Sequence, residues 1–228
     1  MPRLTPGLRL RRAFLRVLAR LLIAVTLRIT VTGLENFPKQ GPALIVINHL
    51  GDADLVPLLA ILPFSPIEGL GKIELRDHWF VGPVFRFYGI VWIHRGQPDR
   101  KAIRAALDAL AQGRMVGIAP EGRQSLIGGL EEGNDGAAFL ALKSGVPVVP
   151  VALTGTENSH IYGHLKRLRR TPVTLVVGKP FFLQEHAVGG TSGRTRGHKT
   201  VQEGTRQIME ALASLLPESY RGQYKSGA

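Results

Sequence analysis

None of the 228 residues is cysteine, which excludes a disulfide framework, a thiolate zinc site and a cysteine nucleophile. The absence is compatible with a reducing compartment. Long apolar runs are also missing: residues 21–27, with Thr26 among them, fall far short of the ~20 that a spanning helix needs. There is no Gly-x4-Gly-Lys-Ser/Thr loop and no Gly-x-Gly-x-x-Gly run, so a nucleotide cofactor has no support. Without a Gly-x-Ser-x-Gly elbow, a serine acyl-enzyme has none either. His160 and His164 stand four apart, but residue 161 is isoleucine rather than the glutamate of a zinc-protease helix, and no metal site is expected.

Acidic residues are scarce, with 17 Asp and Glu against 29 Lys and Arg and a net charge of +12. That balance suits nucleic acid or an anionic membrane. A hydrophobic fraction of 44% and a charged fraction of 20% exclude a disordered chain. The length fits one domain able to bury roughly 70% of its unfolded surface.

The N-terminal segment places the charge. Over residues 8–29, Arg9, Arg12, Arg16 and Arg20 recur at spacings of three and four, one stripe on a helix. Leu10, Phe14, Val17, Leu18, Leu21, Leu22 and Val25 fill the remainder. Such a helix is expected to lie in a membrane interface with its guanidiniums at the phosphates. The competing readings are a helix docked on the core and a signal peptide, although no small-x-small cleavage site follows Leu27. A nucleic-acid module would interleave aromatics with its cations. This arm interleaves Leu, Val and Ala, so no nucleic-acid partner is expected and that reading stays a distant alternative.

Further along, apolar β-branched runs at 43–47, 89–93, 115–119, 148–153 and 173–177 alternate with helical patterns at 55–62, 98–111 and 136–143. A last amphipathic helix is expected over 201–216, after a flexible basic loop at 189–199. This order predicts a single α/β domain with a largely parallel or mixed central sheet flanked by helices. The expected organisation is a membrane-associating arm over 1–32, the domain over 33–217 and a flexible tail over 218–228.

The chemistry gathers where strands end. Residues 45–54, Ile-Val-Ile-Asn-His-Leu-Gly-Asp-Ala-Asp, leave a buried strand and enter a helix, which places His49 in the loop and Asp54 in the first helical turn. A carboxylate on one imidazole nitrogen fixes the tautomer that lets the other take a proton. Residues 89–95 end a strand on Arg95, residues 119–125 (Ala-Pro-Glu-Gly-Arg-Gln-Ser) end the next, and 145–151 lead into another.

With these four blocks in this order, the sequence resembles the glycerolipid acyltransferase family, which includes the 1-acylglycerol-3-phosphate (lysophosphatidate) acyltransferases. The Asn-His-x4-Asp block falls on Asn48, His49 and Asp54, and the glycine–arginine block on Gly89, Ile93 and Arg95. The Pro-Glu-Gly block falls on Pro120, Glu121, Gly122 and Ser125, and the apolar-proline block on Val146, Pro147 and Pro150; Lys72 and Glu74 lie in the segment between the first two. The third block departs from the family's usual Phe-Pro-Glu-Gly-Thr-Arg-Ser: Gln124 stands in place of the arginine, and Arg123 precedes it. His94 stands where an acid is common.

The resemblance implies transfer of a fatty acyl group from a thioester of coenzyme A or acyl carrier protein to the hydroxyl of 1-acylglycerol-3-phosphate, giving phosphatidic acid. His49 would be the general base and Asp54 its orienting partner. Asn48, Lys72, Arg95, Glu121, Gly122, Arg123 and Ser125 would contact substrate, with oxyanion donors expected among backbone amides near the first block. No cofactor beyond the thioester co-substrate is implied. The implied location is a membrane surface, peripheral or monotopic, on its cytoplasmic face. Gln124 leaves other acceptors open: glycerol-3-phosphate, another lysophospholipid or a non-phosphorus lysolipid.

Overall fold

A computed structural model describes residues 5–62, 67–79, 81–93, 100–183 and 193–225, with backbone only over 193–199. Helix α1 (Pro6–Thr26) starts where Thr5 Oγ1 accepts the Leu8 N–H at 3.2 Å and Pro6 stands in the first turn. It runs straight into strand β1 (Leu27–Thr32). The chain continues as β2 (Ala43–Ile47), α2 (Leu55–Ile61), β3 (Ile67–Lys72), α3 (Val81–Tyr88), β4 (Val91–Ile93), α4 (Arg100–Ala111) and β5 (Met115–Ile118). Then follow α5 (Gly136–Ser144), β6 (Val148–Thr154), α6 (Asn158–Lys166), β7 (Thr171–Val177) and α7 (Gly193–Leu215).

The strands form one sheet in the order β1-β7-β6-β2-β5-β3-β4. Among the described residues only the β6–β7 pairing is antiparallel. The expected α/β domain with a mixed, largely parallel sheet is what the chain adopts. In β2, Leu44 and Val46 face one side and Ala43 and Ile45 the other, as a two-residue repeat requires. The first side is covered by α4, α5 and α7 through Leu110, Leu140, Ile208 and Leu212. The second meets Leu58 and Ile61 of α2, Ile23 of α1 and Ile161 of α6.

Three expectations change. Residues 27–32, placed in the arm by the sequence, pair with β7 as an edge strand. From Gly193 the backbone is already helical, since extending a formed helix adds a hydrogen bond for each residue fixed; the rest of the expected basic loop lies outside the described residues. Residues 218–225 are not loose. Leu130 N donates to Tyr220 O at 2.8 Å, and Tyr220 and Tyr224 pack against the core.

The arginine stripe of α1 also behaves differently from expectation. Arg12 is buried and donates to both carboxylate oxygens of Glu68, at 3.2 and 2.9 Å, and to Tyr88 O at 2.9 Å. Arg114 meets the same carboxylate at 2.8 Å. Arg20 Nε donates to Ala60 O at 3.0 Å, and burial together with Arg20 lowers the pKa of Arg16. Of the stripe, Arg12 turns inward because the wholly buried Glu68 carboxylate requires cations, whereas Arg9 and Arg20 stay exposed and Arg16 is half-buried. The outward face is the apolar one: Leu10, Phe14, Val17, Leu18, Leu21, Leu22 and Val25 are exposed.

Candidate active site

Parallel strands bring their carboxyl ends to one edge. Asn48 follows β2 and is buried; its Oδ1 accepts Leu153 N at 2.7 Å and its Nδ2 donates to Leu153 O at 2.9 Å. This pair continues the β2–β6 ladder by one side-chain rung. Asn48 thereby anchors the start of the loop.

The next residue is His49. Its Nδ1 lies 2.7 Å from Asp54 Oδ2, which also accepts the N–H groups of Leu50 at 2.8 Å and Gly51 at 3.1 Å. An oxygen that already accepts two amides is an acceptor toward the ring as well, so Nδ1 is the nitrogen that carries the proton in the neutral tautomer, with the lone pair on Nε2. The His49 side chain is 30% exposed and that of Asp54 only 7%, so the imidazole reaches solvent while the carboxylate does not. Gly51 is extended, and a Cβ there would overlap Thr156 O, so the loop passes flush against the segment after β6.

The Pro-Glu-Gly block closes on this loop from β5. Glu121 Oε1 accepts His49 N at 3.1 Å and Oε2 accepts Glu131 N at 3.1 Å, while His49 O accepts Ser125 N at 2.7 Å. Burial lifts the Glu121 carboxyl from its ordinary 4.5 to about 7, and the two amide donors offset part of that rise. Gly122 has φ +67°, a left-handed turn that a side chain resists, and Asn134 Nδ2 bonds the carbonyls of Pro120 and Glu121 at 3.2 and 3.0 Å. Ser125 Oγ donates to Gly129 O at 2.6 Å and accepts from Ile127 and Gly129 N–H. Glu121 and Ser125 are both engaged with backbone and shape the loop.

Arg123 is half-exposed and pairs with Glu131. Lys72, the last residue of β3, lies two strands from β2. The pairings of Gly117 with Ile45 and with Gly69 put Lys72 level with Asn48, about 10 Å sideways at normal strand spacing. It pairs with Ile93 of β4; Arg95 lies outside the described residues. The amides expected to hold an oxyanion are occupied: His49 N by Glu121, Leu50 N and Gly51 N by Asp54, and Asp52 N by Asn158 Oδ1 at 2.9 Å. These four amides of the first block are spent on the loop's own shape.

Sequence reasoning missed Asp52. Gln124 Nε2 donates to its Oδ1 at 2.7 Å and Tyr162 OH to its Oδ2 at 3.4 Å, which ties the third block and α6 to the histidine loop. Asp52 stood inside the first block, where only the spacing from His49 to Asp54 was read. Glu131, ten residues beyond Glu121, carried no local signal.

A partly exposed histidine–carboxylate pair lies at the carboxyl edge of an α/β sheet, clasped by a Pro-Glu-Gly loop. The sequence family described as Acyltransferase matches residues 28–154, and the chain belongs to that family. It is 34% identical over 139 residues to a Borreliella burgdorferi 1-acyl-sn-glycerol-3-phosphate acyltransferase, covering 59% of this chain and 54% of that one. A chloroplastic enzyme of the same name from Arabidopsis thaliana is 29% identical over 75% of this chain and 49% of its own. The chain thus spans about half the length of the curated relatives it matches. The crystal structure of the 1-acyl-sn-glycerophosphate acyltransferase PlsC from Thermotoga maritima superposes with a TM-score of 0.61 at 25% identity, over 86% of this chain and 79% of that one.

Proposed function

We propose that the protein acylates a lysolipid hydroxyl at a membrane surface, converting 1-acylglycerol-3-phosphate to phosphatidic acid with a thioester of coenzyme A or acyl carrier protein as donor. The observation that carries this reading is the His49–Asp54 contact of 2.7 Å with Nε2 left free, in a chain whose relatives bear that enzyme's name. His49 Nε2 takes the acceptor's hydroxyl proton as its oxygen attacks the thioester carbonyl. The new C–O bond forms, the C–S bond breaks, and the imidazolium returns the proton to the departing thiolate. Asp54 stabilises the imidazolium. Lys72, Arg95 and Arg123 hold the phosphate, Arg123 by exchanging Glu131 for it; a guanidinium fork fits both anions. Asn48, Glu121, Gly122 and Ser125 act by holding the two loops together.

The exposed apolar face of α1 supports a peripheral or monotopic location, which we assign to the cytoplasmic side. No described helix is long and apolar enough to cross a membrane. The seven large apolar side chains on this helix leave water when they enter the interface, at roughly 25 cal/mol per Å².

One observation favours a second acceptor. Gln124 is bound to Asp52, which sets a carboxylate rather than a cation on the site's rim. That suits a lysolipid without a phosphate monoester better than lysophosphatidate. Acyl transfer by purified protein, measured with both donors and with lysophosphatidate, glycerol-3-phosphate and a lysolipid panel, decides between them. Product that depends on lysophosphatidate and vanishes in His49→Ala supports the first reading; transfer only to a phosphate-free acceptor supports the second. No transfer to any acceptor from either donor removes both.

A further inference from the structure

We propose that the turn between α6 and β7, residues 165–170, is a second lipid-contacting element that seats the active-site edge on an anionic bilayer. It rests on the membrane-surface part of the reading above and adds a contact that α1 does not make.

The turn reads Leu165-Lys-Arg-Leu-Arg-Arg170, and every one of these residues is exposed. Arg167 N and Arg169 N both donate to His164 O at 3.0 Å, which closes α6 and puts Leu168 where a glycine usually stands. Its φ is +52°, and among the described residues no other non-glycine has a positive φ. A side chain in that region costs backbone energy. Leu168 recovers none of it by packing, since it is 95% exposed. Leu165 and Tyr162, on the preceding turn, are about half exposed. Folding alone favours glycine for the backbone and a polar residue for the exposure. Moving the leucine out of water supplies the missing gain.

Charge selects the occupant. Lys166, Arg167, Arg169 and Arg170 surround the tip, and among the described residues none of them pairs with a carboxylate. An apolar tip ringed by long cations matches hydrocarbon beneath phosphates, where the stems lie in the interface and the heads meet the anions.

Position gives the contact its purpose. Arg170 Nε donates to Leu27 O at 2.7 Å, which ties the turn to the end of α1, where Leu21, Leu22 and Val25 are exposed. Helix α6 is bonded to Asp52 of the histidine loop through Asn158 at its start and Tyr162 at its middle. A single amphipathic helix in an interface can still roll about its axis. A second contact beside its end removes that freedom and holds the His49 edge against the lipid.

The test uses the full chain with vesicles of phosphatidylglycerol and of phosphatidylcholine, and a separate transfer assay in detergent micelles that supply the acceptor. Leu168→Gly is expected to lower partition onto both vesicles about tenfold, the worth of one buried leucine, with an unchanged or higher melting temperature. Arg167→Gln with Arg169→Gln should weaken phosphatidylglycerol binding by about tenfold or more and leave phosphatidylcholine binding alone. Micellar turnover should be unchanged in both. Failure of the wild type to bind either vesicle overturns the proposal, as does unaltered partition in the variants. A raised KM for the thioester donor with unaltered partition overturns it in favour of a donor-docking site. Partition that depends on Leu168 in a chain with no transferase activity leaves this surface standing and removes the proposed reaction.

Discussion

Glu121 receives the main-chain N–H of His49 at 3.1 Å, so the carboxylate after one strand holds the backbone of the histidine after the neighbouring strand. Its other oxygen holds Glu131 N, and the buried carboxyl is pushed up to about 7. A group whose pKa is higher folded than unfolded stabilises the fold below its ordinary pKa, and that stability is lost as pH rises through the folded value. Melting temperature of the wild type should therefore fall between about pH 4.5 and 7 more steeply than that of Glu121→Gln. Parallel pH profiles for the two proteins would remove this account of Glu121.

The proposed reaction predicts that losing the His49 imidazole removes most of the transfer activity. His49→Ala is expected to lower kcat by about 10²–10⁴ with little change in melting temperature, because its ring is partly exposed. Asp54→Asn differs, since the amide cannot serve the imidazole, Leu50 N and Gly51 N as the carboxylate does. It should lose activity and about 1–3 kcal/mol of stability together, read by kinetics and by urea unfolding.

Gly51→Ala tests the fit between the histidine loop and the segment after β6. A methyl group there meets the backbone carbonyl of Thr156, so the loop must shift. The expected cost is about 1–3 kcal/mol, with kcat reduced even though no reacting group is altered. Wild-type kcat in this variant would show that the loop tolerates displacement.

The buried cluster that docks α1 predicts an asymmetry. Arg12→Met leaves Glu68 with Arg114 alone and should destabilise the protein by about 3–5 kcal/mol. Replacing Arg12, Glu68 and Arg114 together with methionine should recover most of that loss, because no charge is then stranded. Chemical denaturation of the single and triple variants measures both, and a triple variant no more stable than the single one would contradict it.

The buried strands β2, β5, β6 and β7 were legible as apolar runs, and their alternation with helices pointed to the right fold. The missed elements had weak patterns for physical reasons. β3 carries two glycines and the buried Glu68, β1 alternates along a sheet edge directly after a helix, and α6 presents no continuous apolar stripe. The pair His49 and Asp54 was readable because five residues across a strand-to-helix turn is a local relationship. The engagement of Asn48, Glu121 and Ser125 was not, since Asn48 meets Leu153 and Glu121 meets His49 across 105 and 72 residues.

By itself the amino-acid sequence determined the alternating α/β order, the pairing of His49 with Asp54 and the family, because each follows from short-range spacing or a local block. Only the tertiary structure decided which face of α1 is exposed, which block residues hold backbone, and that Gln124 binds Asp52. Those outcomes depend on what burial demands at distant positions. Glu68, sealed inside the sheet, draws Arg12 inward, and the amides of the histidine loop take the nearest buried acceptors whatever their separation along the chain.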